Sequence, residues 1–152
     1  MILGTACYLR HDGKTLMLLR DKKSDDIMHG FYSVPGGKIN EGESPEEGIF
    51  REYLEETGLS IINPLLRGYV TIINSGLENW GLFIYTAASF KGQLKECNEG
   101  TLEWVATSEV PQLNIRPSDR MFLPYIDGCG FFTGKITNRD GHSPKSEFSI
   151  YR

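Results

Sequence analysis

The stretch that decides the fold runs from Gly37 to Leu59 and reads GKINEGESPEEGIFREYLEETGL. It holds seven glutamates against two basic residues, so its net charge is −5, whereas the whole chain of 152 residues carries −4. Like charges this close together repel one another and disfavour ionisation unless a cation lies among them. The stretch therefore predicts a site for a divalent cation.

Signals for both ends of a helix lie within this stretch. Ser44, followed by Pro45 and Glu47, forms a capping box with proline at the first helical position. Gly58 can adopt the left-handed conformation in which many helices end. These signals predict a helix from about Pro45 to Thr57. The hydrophobic spacing predicts a buried stripe made of Ile49, Phe50, Tyr53 and Leu54.

Three further glutamates of the helix, Glu52, Glu55 and Glu56, are related by steps of three and four residues. Their carboxylates therefore project from neighbouring points on a second face. Oxygen ligands of this kind suit Mg²⁺ or Mn²⁺, whereas zinc prefers histidine and cysteine. The alternative interpretation is a solvated acidic face, in which Arg51 pairs with Glu47 or Glu55.

The loop Pro35–Lys38, shortly before the predicted helix, favours the metal interpretation. Its two glycines allow backbone carbonyls and amides to approach a cation or a phosphate closely. A solvated acidic face would need no such loop. The loop and the helix face together therefore indicate one metal site.

Seven charged or glycine positions of this region follow a known spacing: Gly37, Glu43, Arg51, Glu52, Glu55, Glu56 and Gly58. In this spacing the stretch resembles the Nudix box, the signature of Nudix hydrolases. Tyr53 departs from it where the pattern has an aliphatic residue, and a buried tyrosine needs a partner for its hydroxyl. The resemblance implies an α/β (α+β) fold with a mixed β-sheet layered between helices, as one domain over residues 1–152.

The resemblance also implies Mg²⁺-dependent hydrolysis of a nucleoside diphosphate linked to another moiety, with Mn²⁺ as a substitute metal. By position, the metal ligands would be the Gly36 carbonyl, Glu52, Glu55 and Glu56. Either Glu52 or Glu56 would activate water. Glu43 and Arg51 resemble the salt-bridged pair that orients the helix glutamates in this family. Lys38 would face phosphate.

Two segments downstream extend the resemblance towards the MutT-like branch, which includes 8-oxo-dGTP diphosphatases. Asn98–Val105 resembles a strand entrance at which Glu99 would be a further metal ligand carried by a loop; otherwise Glu99 is an ordinary loop carboxylate. Pro117–Pro124 resembles the segment that reads the purine edge in that branch, which gives this role to Asp119. Purine recognition needs donors and acceptors at fixed places.

Residues around the expected base pocket match less well. Phe31 is a candidate wall of this pocket, but Ser33 stands where the animal enzymes have an amide side chain and Arg116 where they have a stacking tryptophan. Lys22, in the loop before Phe31, is either a phosphate contact or an exposed loop residue. The type of reaction is therefore better defined by the sequence than the base preference.

The rest of the chain reads mainly as strands. A hairpin is predicted from Ile2–Leu9 and Thr15–Arg20 around Asp12-Gly13, because Asp-Gly favours tight turns. The other predicted strands are Phe31–Val34, ended by Pro35-Gly36-Gly37, then Leu65–Ile73, Gly81–Phe90, Leu102–Ala106, Phe131–Thr137 and Glu147–Tyr151. A second helix is predicted over Pro117–Ile126 despite Pro124.

Composition excludes several classes of protein. A pI near 5.4 and the lack of a Lys/Arg block argue against binding a nucleic acid polymer. No apolar run approaches the roughly 20 residues of a membrane span. The three cysteines, Cys7, Cys97 and Cys129, are odd in number and far apart, which is typical of reduced thiols in a cytoplasmic protein. We expect a small nucleotide as the partner, and a monomer or a homodimer.

The leading hypothesis is a Mg²⁺-dependent nucleoside triphosphate pyrophosphohydrolase that acts on 8-oxo-dGTP or a related purine nucleotide and gives a nucleoside monophosphate and pyrophosphate. One alternative is a Nudix hydrolase of ADP-ribose, a nucleotide sugar or a dinucleotide. Another is a nucleotide-sensing module without catalysis, since a fold alone does not settle function. The intact set of glutamates counts against a sensor, which has no need of a base.

Overall fold

Strands dominate the computed structural model, which describes residues 1–128 and 130–152; the expectation for Cys129 lies outside the described residues. The strands are β1 Ile2–His11, β2 Lys14–Leu19, β3 Tyr32–Ser33, β4 Gly36–Lys38, β5 Ser60–Ile62, β6 Leu65–Asn74, β7 Trp80–Ala87, β8 Ser89–Lys91, β9 Thr101–Ala106, β10 Phe131–Asn138 and β11 Lys145–Tyr151. The helices are α1 Pro45–Thr57 and α2 Pro117–Ile126, with a 3₁₀ helix at Thr107–Gln112. None of the described helices is long and apolar enough to cross a bilayer.

Nine of the strands form one mixed sheet in the order β11-β10-β6-β7-β1-β2-β3, with β4 paired to β1 and β9 paired to β2. The pairs β1–β7 and β6–β10 are parallel, whereas the other pairs in this sheet are antiparallel. Strands β5 and β8 form a separate two-stranded sheet. The closing hairpin β10–β11 extends the same sheet through β6, so residues after α2 add to the sheet that carries the site.

Helices α1 and α2 pack on opposite faces of this sheet. Alternate residues of a strand point to opposite faces, and β1 shows this clearly. Cys7 belongs to the core cluster that includes Tyr53 of α1, whereas Tyr8 belongs to the cluster that includes Phe122 of α2. The predicted mixed sheet layered between helices is confirmed.

Helix α1 begins and ends where the sequence predicts. The Glu47 amide donates to the Ser44 hydroxyl at 3.1 Å, and the Ser44 amide donates to the Glu47 carboxylate at 3.0 Å. Gly58 has φ 80° and its N–H donates to the Leu54 carbonyl. The capping box and the left-handed C-cap are both confirmed.

The buried stripe of α1 is narrower than predicted. Ile49 and Tyr53 are fully buried, but Phe50 and Leu54 are 40% and 52% exposed. Residues four apart lie on one face of a helix, and each of the exposed pair follows a buried residue by one step of about 100°. The expectation of four buried residues was therefore wrong for Phe50 and Leu54, which the sheet does not reach.

The buried hydroxyl of Tyr53 has a hydrogen-bond partner within the core. Its hydroxyl donates to the Cys7 carbonyl of β1. The tyrosine thus fills an apolar position while its oxygen keeps a partner, as buried tyrosines generally require. The departure from the aliphatic pattern leaves the packing of α1 on the sheet intact.

Three short strands escaped the sequence analysis. Gly36–Lys38 was predicted to end a strand, yet it forms β4 and pairs with Gly4–Ala6 of β1. Pairing to a neighbour is a tertiary property that glycine-rich composition does not announce. Strand β5 was also missed, and its partner β8 was read as the end of a longer strand that in fact stops at Ala87.

Candidate active site

Arg51 of α1 lies at the centre of a network of carboxylates. Its Nε donates to Glu43 Oε2 at 2.7 Å and its Nη2 to Glu43 Oε1 at 3.0 Å, so the pair is bidentate. Nη2 also donates to the Lys38 carbonyl at 2.9 Å, and Nη1 to Glu52 Oε1 at 2.9 Å. Bidentate arginine pairs fix geometry as well as adding energy. Arg51 therefore ties the loop before α1 to the glutamate face of the helix.

Glu43 is held ionised in this network. Besides Arg51, it accepts the Asn40 N–H at 2.7 Å. These hydrogen bonds, the one from Arg51 first, lower the pKa of Glu43. A carboxylate with this many donors is an orienting group, and its oxygens are already occupied.

Glycine is required at Gly37 because the helix approaches it so closely. A Cβ placed there would lie 2.8 Å from Cδ and Oε1 of the Glu52 carboxyl group. A Cβ on Gly36 would lie 2.1 Å from the Thr5 carbonyl oxygen. Both distances are far below van der Waals contact. Strand β4 thus brings its backbone against the Glu52 carboxylate of α1. The predicted approach of this backbone to a cation or a phosphate stays a prediction.

Glu56 is the most perturbed carboxyl group of the site. Its Oε2 accepts the Gly36 N–H at 3.2 Å. Burial, and after it the charges of Glu52 and Glu99, raise its pKa to about 8, against the lowering effect of Gly36 N–H and Arg20. Burial also raises the pKa of Glu52, although Arg51 offsets part of this. The negative charge of Glu52, Glu56 and Glu99 thus exceeds the positive charge that neighbouring side chains provide.

The remaining predicted ligands are more open. Glu55 has a 60% exposed side chain, and its Oε2 accepts from Arg51 Nη1 at 3.3 Å. Glu99 is 34% exposed and lies 3.5 Å from Arg20 Nη1. Within residues 1–128 and 130–152, no three His, Cys, Asp or Glu side chains already stand as a metal-binding group. Glu52 and Glu55 both accept a hydrogen bond from Arg51 Nη1.

A divalent cation nevertheless fits the residues present. The donor set consists of hard oxygens, which suits Mg²⁺ or Mn²⁺. The glycines at positions 36 and 37 leave room for backbone and carboxylate to converge. Burial and neighbouring carboxylates disfavour the ionised forms of Glu52 and Glu56 and so raise their pKa values, and a cation would stabilise those ionised forms.

Asp119, the predicted base-reading residue, is buried on the other face of the sheet. Its side chain is 8% exposed, and Arg116 donates to it through Nη2 at 3.2 Å and Nε at 3.4 Å. Burial raises the pKa of Asp119 despite Arg116. Arg116 thus forms an ion pair with Asp119, three residues later in the chain. Tyr32 forms a β-bridge with Ile115, just before α2. The two candidate pocket residues that flank it, Phe31 and Ser33, therefore lie near the start of α2.

The candidate pocket and phosphate residues differ in their exposure and in their contacts. Phe31 and Ser33 are both half-buried, and Ser33 pairs with Leu18 of β2. Lys38 is exposed. The Lys22 Nζ donates to the Cys97 carbonyl at 2.8 Å, so Lys22 links two loops. Lys22 is also exposed, which agrees with its interpretation as an exposed loop residue.

Two polar contacts at the site were missed by the sequence analysis. Arg20, at the end of β2, lies between Asp26 and Glu99, with its Nε 2.8 Å from Asp26 Oδ2. The Tyr85 hydroxyl donates to Glu46 of the first turn of α1. A charged residue at a strand end beside a loop was the available signal for Arg20, but its partner Glu99 is 79 positions away in the sequence.

Two cavities of about 340 Å³ lie away from the carboxylates. One is lined by exposed residues of the β10–β11 hairpin, among them Lys135, Arg139 and Lys145. The other lies on the α2 face and includes Tyr8 and Arg120. The α1 site is instead a convergence of charged groups around Glu52 and Glu56.

Comparisons with known proteins agree with this geometry. The model of the NUDIX domain matches residues 2–126. The uncharacterized Nudix hydrolase YvcI of Bacillus subtilis is 36% identical over 154 residues, which cover 97% of this chain and 91% of the relative. An oxidized purine nucleoside triphosphate hydrolase of Mus musculus is 31% identical over 108 residues, or 68% of this chain and 69% of the relative.

A solved structure extends the agreement to the fold. The crystal structure of the mutator MutT protein from Bacillus halodurans has a TM-score of 0.85 and 26% sequence identity, and the match covers 97% of each chain. Hydrolases of this type generally use a divalent metal. The chain belongs to the Nudix family and is a hydrolase that acts on phosphoric anhydride bonds.

Proposed function

We propose that the protein is a Mg²⁺-dependent nucleoside triphosphate pyrophosphohydrolase. It would cleave the bond between the α and β phosphates with water and give a nucleoside monophosphate and pyrophosphate, with a purine nucleotide such as 8-oxo-dGTP as substrate. The observation that carries the proposal is the crowding of Glu52 and Glu56 against the backbone of Gly36 and Gly37. The mouse relative, named for oxidized purine nucleoside triphosphates, supports the substrate class.

The residues that would hold the metal are the Gly36 carbonyl, Glu52, Glu55, Glu56 and Glu99. A bound Mg²⁺, or Mn²⁺ in its place, neutralises phosphate charge and acidifies water. Pyrophosphate bonds resist anionic nucleophiles because of their own negative charge, so a site rich in carboxylates needs such a cation before phosphate can enter.

The chain's own groups then have separate tasks. Arg51, fixed by Glu43 and the Lys38 carbonyl, holds Glu52 at its place on the helix face. Either Glu52 or Glu56 would accept the proton of the attacking water. The carboxylate that accepts this proton has to be ionised, and a bound cation would favour the ionised form of both side chains.

Substrate contacts come from both sides of the sheet. Lys38 would contact phosphate, and Lys22 could do so only by leaving the Cys97 carbonyl. Phe31, Ser33 and Asp119 would contact the base. The Asp119 oxygens, which accept from Arg116, would also accept from a donor on the purine edge.

A substrate panel tests this proposal. Purified protein with Mg²⁺ should release pyrophosphate from a purine triphosphate and should do so fastest with an oxidised purine. Two monophosphates from ADP-ribose, with no pyrophosphate from any triphosphate, would instead establish the alternative hydrolase. Tight nucleotide binding without turnover between pH 7 and 9 would establish a sensing module.

We also propose that residues 1–152 act as one domain. Strand β10 pairs with β6 over seven residues, and β11 pairs with β10 over seven. The hairpin after the matched family region is thus hydrogen-bonded to the central sheet. Deletion of residues 129–152 should therefore unfold the protein, which circular dichroism would detect.

A further inference from the structure

Arg20 joins a loop carboxylate to a candidate metal ligand. The Arg20 side chain is 21% exposed, and its Nε donates to Asp26 Oδ2 at 2.8 Å while Nη1 lies 3.5 Å from Glu99 Oε2. Backbone hydrogen bonds fix Arg20 as well, since its N–H donates to the Phe31 carbonyl at 3.0 Å and its carbonyl accepts the Gly30 N–H at 2.7 Å. The guanidinium is therefore anchored at the base of the loop that follows β2.

Asp26 is a strong partner for this arginine. Its side chain is only 12% exposed, and Oδ1 accepts the Met28 N–H at 3.0 Å. Burial alone would raise the pKa of Asp26, but the Met28 N–H and Arg20 lower it overall. Asp26 is thus ionised at neutral pH and fixes the orientation of the Arg20 fork.

The loop before β3 and the loop that carries Glu99 are tied together elsewhere too. The Lys22 Nζ donates to the Cys97 carbonyl at 2.8 Å, and the Thr101 hydroxyl donates to Asp21 at 2.9 Å. A Cβ on Gly100 would lie 1.9 Å from the Leu19 carbonyl oxygen, so the backbones touch beside Glu99. The two loops form one joined unit.

This unit stands next to Glu56 of α1. Glu99 and Arg20 both lie close enough to Glu56 to shift the pKa of its carboxyl, Glu99 upwards and Arg20 downwards. Glu99 is thereby placed beside a residue of the Nudix helix although it lies 43 positions further along the chain. Without a counter-charge, repulsion between the two carboxylates would disfavour this placement of Glu99.

We propose that Arg20 and Asp26 are positioning residues which hold Glu99 at the metal site through the Asp26–Arg20–Glu99 chain of ion pairs. Asp26 acts through Arg20, and neither needs to contact the metal or the substrate. The inference rests on the proposed metal site of the preceding section. Partners behind a ligand commonly matter for metal affinity because they fix the ligand's orientation.

Asp26→Asn is the principal test, with Asp25→Asn as the matched control, because Asp25 is the exposed neighbour in the same loop. Mn²⁺ binding, measured by electron paramagnetic resonance without substrate, should weaken about 10-fold in Asp26→Asn and stay at the wild-type value in Asp25→Asn. Amide hydrogen exchange of residues 93–101 in metal-free protein should quicken in Asp26→Asn alone. Arg20→Lys, which keeps the charge but loses the fork, should behave like Asp26→Asn.

A double variant separates positioning from general destabilisation. Glu99→Gln alone should weaken Mn²⁺ binding, and adding Asp26→Asn to it should weaken binding no further, because both act through one ligand. Additive losses, or an Asp26→Asn affinity within twofold of Asp25→Asn, would overturn the inference. These measurements use no nucleotide, so failure of the proposed substrate would leave the inference standing.

Discussion

The two helices on opposite faces of the sheet each bring a buried carboxylate into the fold, but they secure it in different ways. On the α1 face, Glu52 and Glu56 meet Arg51 and the backbone of β4, so their partners lie up to 20 residues away. On the α2 face, Asp119 meets Arg116, three residues earlier on the same helix. The α1 carboxylates outnumber their counter-charges, whereas the α2 carboxylate has one of its own. We infer that the first arrangement serves a cation and the second serves recognition.

Glu56→Gln should break the α1 side of this comparison. Removal of the carboxylate takes away a metal ligand and a candidate base, so kcat for pyrophosphate release should fall by about 10²–10⁴-fold. Glu41→Gln, an exposed glutamate of the same stretch, is the control and should keep wild-type kcat. Circular dichroism should show both variants folded. Glu52→Gln should resemble Glu56→Gln, and near-wild-type rates for both would show that this face is not catalytic.

Arg51→Lys should have the next largest effect. Lysine retains the charge but cannot bind Glu43 through two nitrogens while also reaching Glu52 and the Lys38 carbonyl. Loss of such an orienting group is expected to lower kcat/KM by about 10- to 100-fold. Steady-state kinetics at saturating Mg²⁺ would measure this loss. A fully active Arg51→Lys would mean that the network stabilises the helix without orienting the site.

Asp119→Ala sharpens the comparison from the other face. If Asp119 reads the base, the ratio of kcat/KM between two purine triphosphates should change by about 10-fold, since a lost polar contact costs roughly 1–3 kcal/mol of discrimination. The triphosphate is common to both substrates, so an α1 effect would cancel in the ratio. An equal loss for every nucleotide would assign Asp119 to structure alone.

The difference between the faces also explains how far the sequence could be interpreted. Helix α1 has its start signal, stop signal and glutamate spacing inside one stretch, and all three are local properties of the chain. Helix α2 has Arg116 at its N-cap with no side-chain cap and a proline inside, yet the predicted bounds of Pro117 to Ile126 are confirmed. Contacts such as Arg20 with Glu99 join distant segments, and no spacing rule announces them.

The short strands teach the same lesson. Strand β4 is defined by pairing with β1, and β5 by pairing with β8. Their sequences are too short for a periodic hydrophobic pattern, which is the main signal that a strand offers. The predicted burial of Phe50 and Leu54 was wrong for a related reason. The width of the buried stripe depends on how far the sheet extends beneath the helix.

The pH dependence of stability tests the state of Asp119. Its folded pKa is raised by burial, while Arg116 offsets this and Tyr8 is the other titratable group beside it. A carboxyl whose folded pKa is raised binds its proton more tightly when folded, so its contribution is present below the unfolded pKa of about 3.9 and is lost as pH rises. The Tm of the wild type minus that of Asp119→Asn should therefore fall between pH 4 and pH 7.

The expected result is a smaller Tm difference at pH 7 than at pH 4. Differential scanning calorimetry of the two proteins at both pH values would measure it. A difference that grows with pH would mean that the Arg116 pair outweighs burial and keeps Asp119 ionised.

Ser44→Ala should give the smallest effect. It measures how much the capping box at the start of α1 contributes to the free energy of unfolding. The Ser44 hydroxyl accepts the Glu47 N–H, and Glu47 accepts the Ser44 N–H in return. Loss of the hydroxyl leaves one amide at the helix start without its partner, so the free energy of unfolding should fall by about 1 kcal/mol. Ser108→Ala, at an exposed serine of the 3₁₀ helix, which has no side-chain cap, should change it by less than about 0.5 kcal/mol. Urea denaturation of both variants measures the difference, and equal losses would show that the capping box adds nothing to the stability of helix α1.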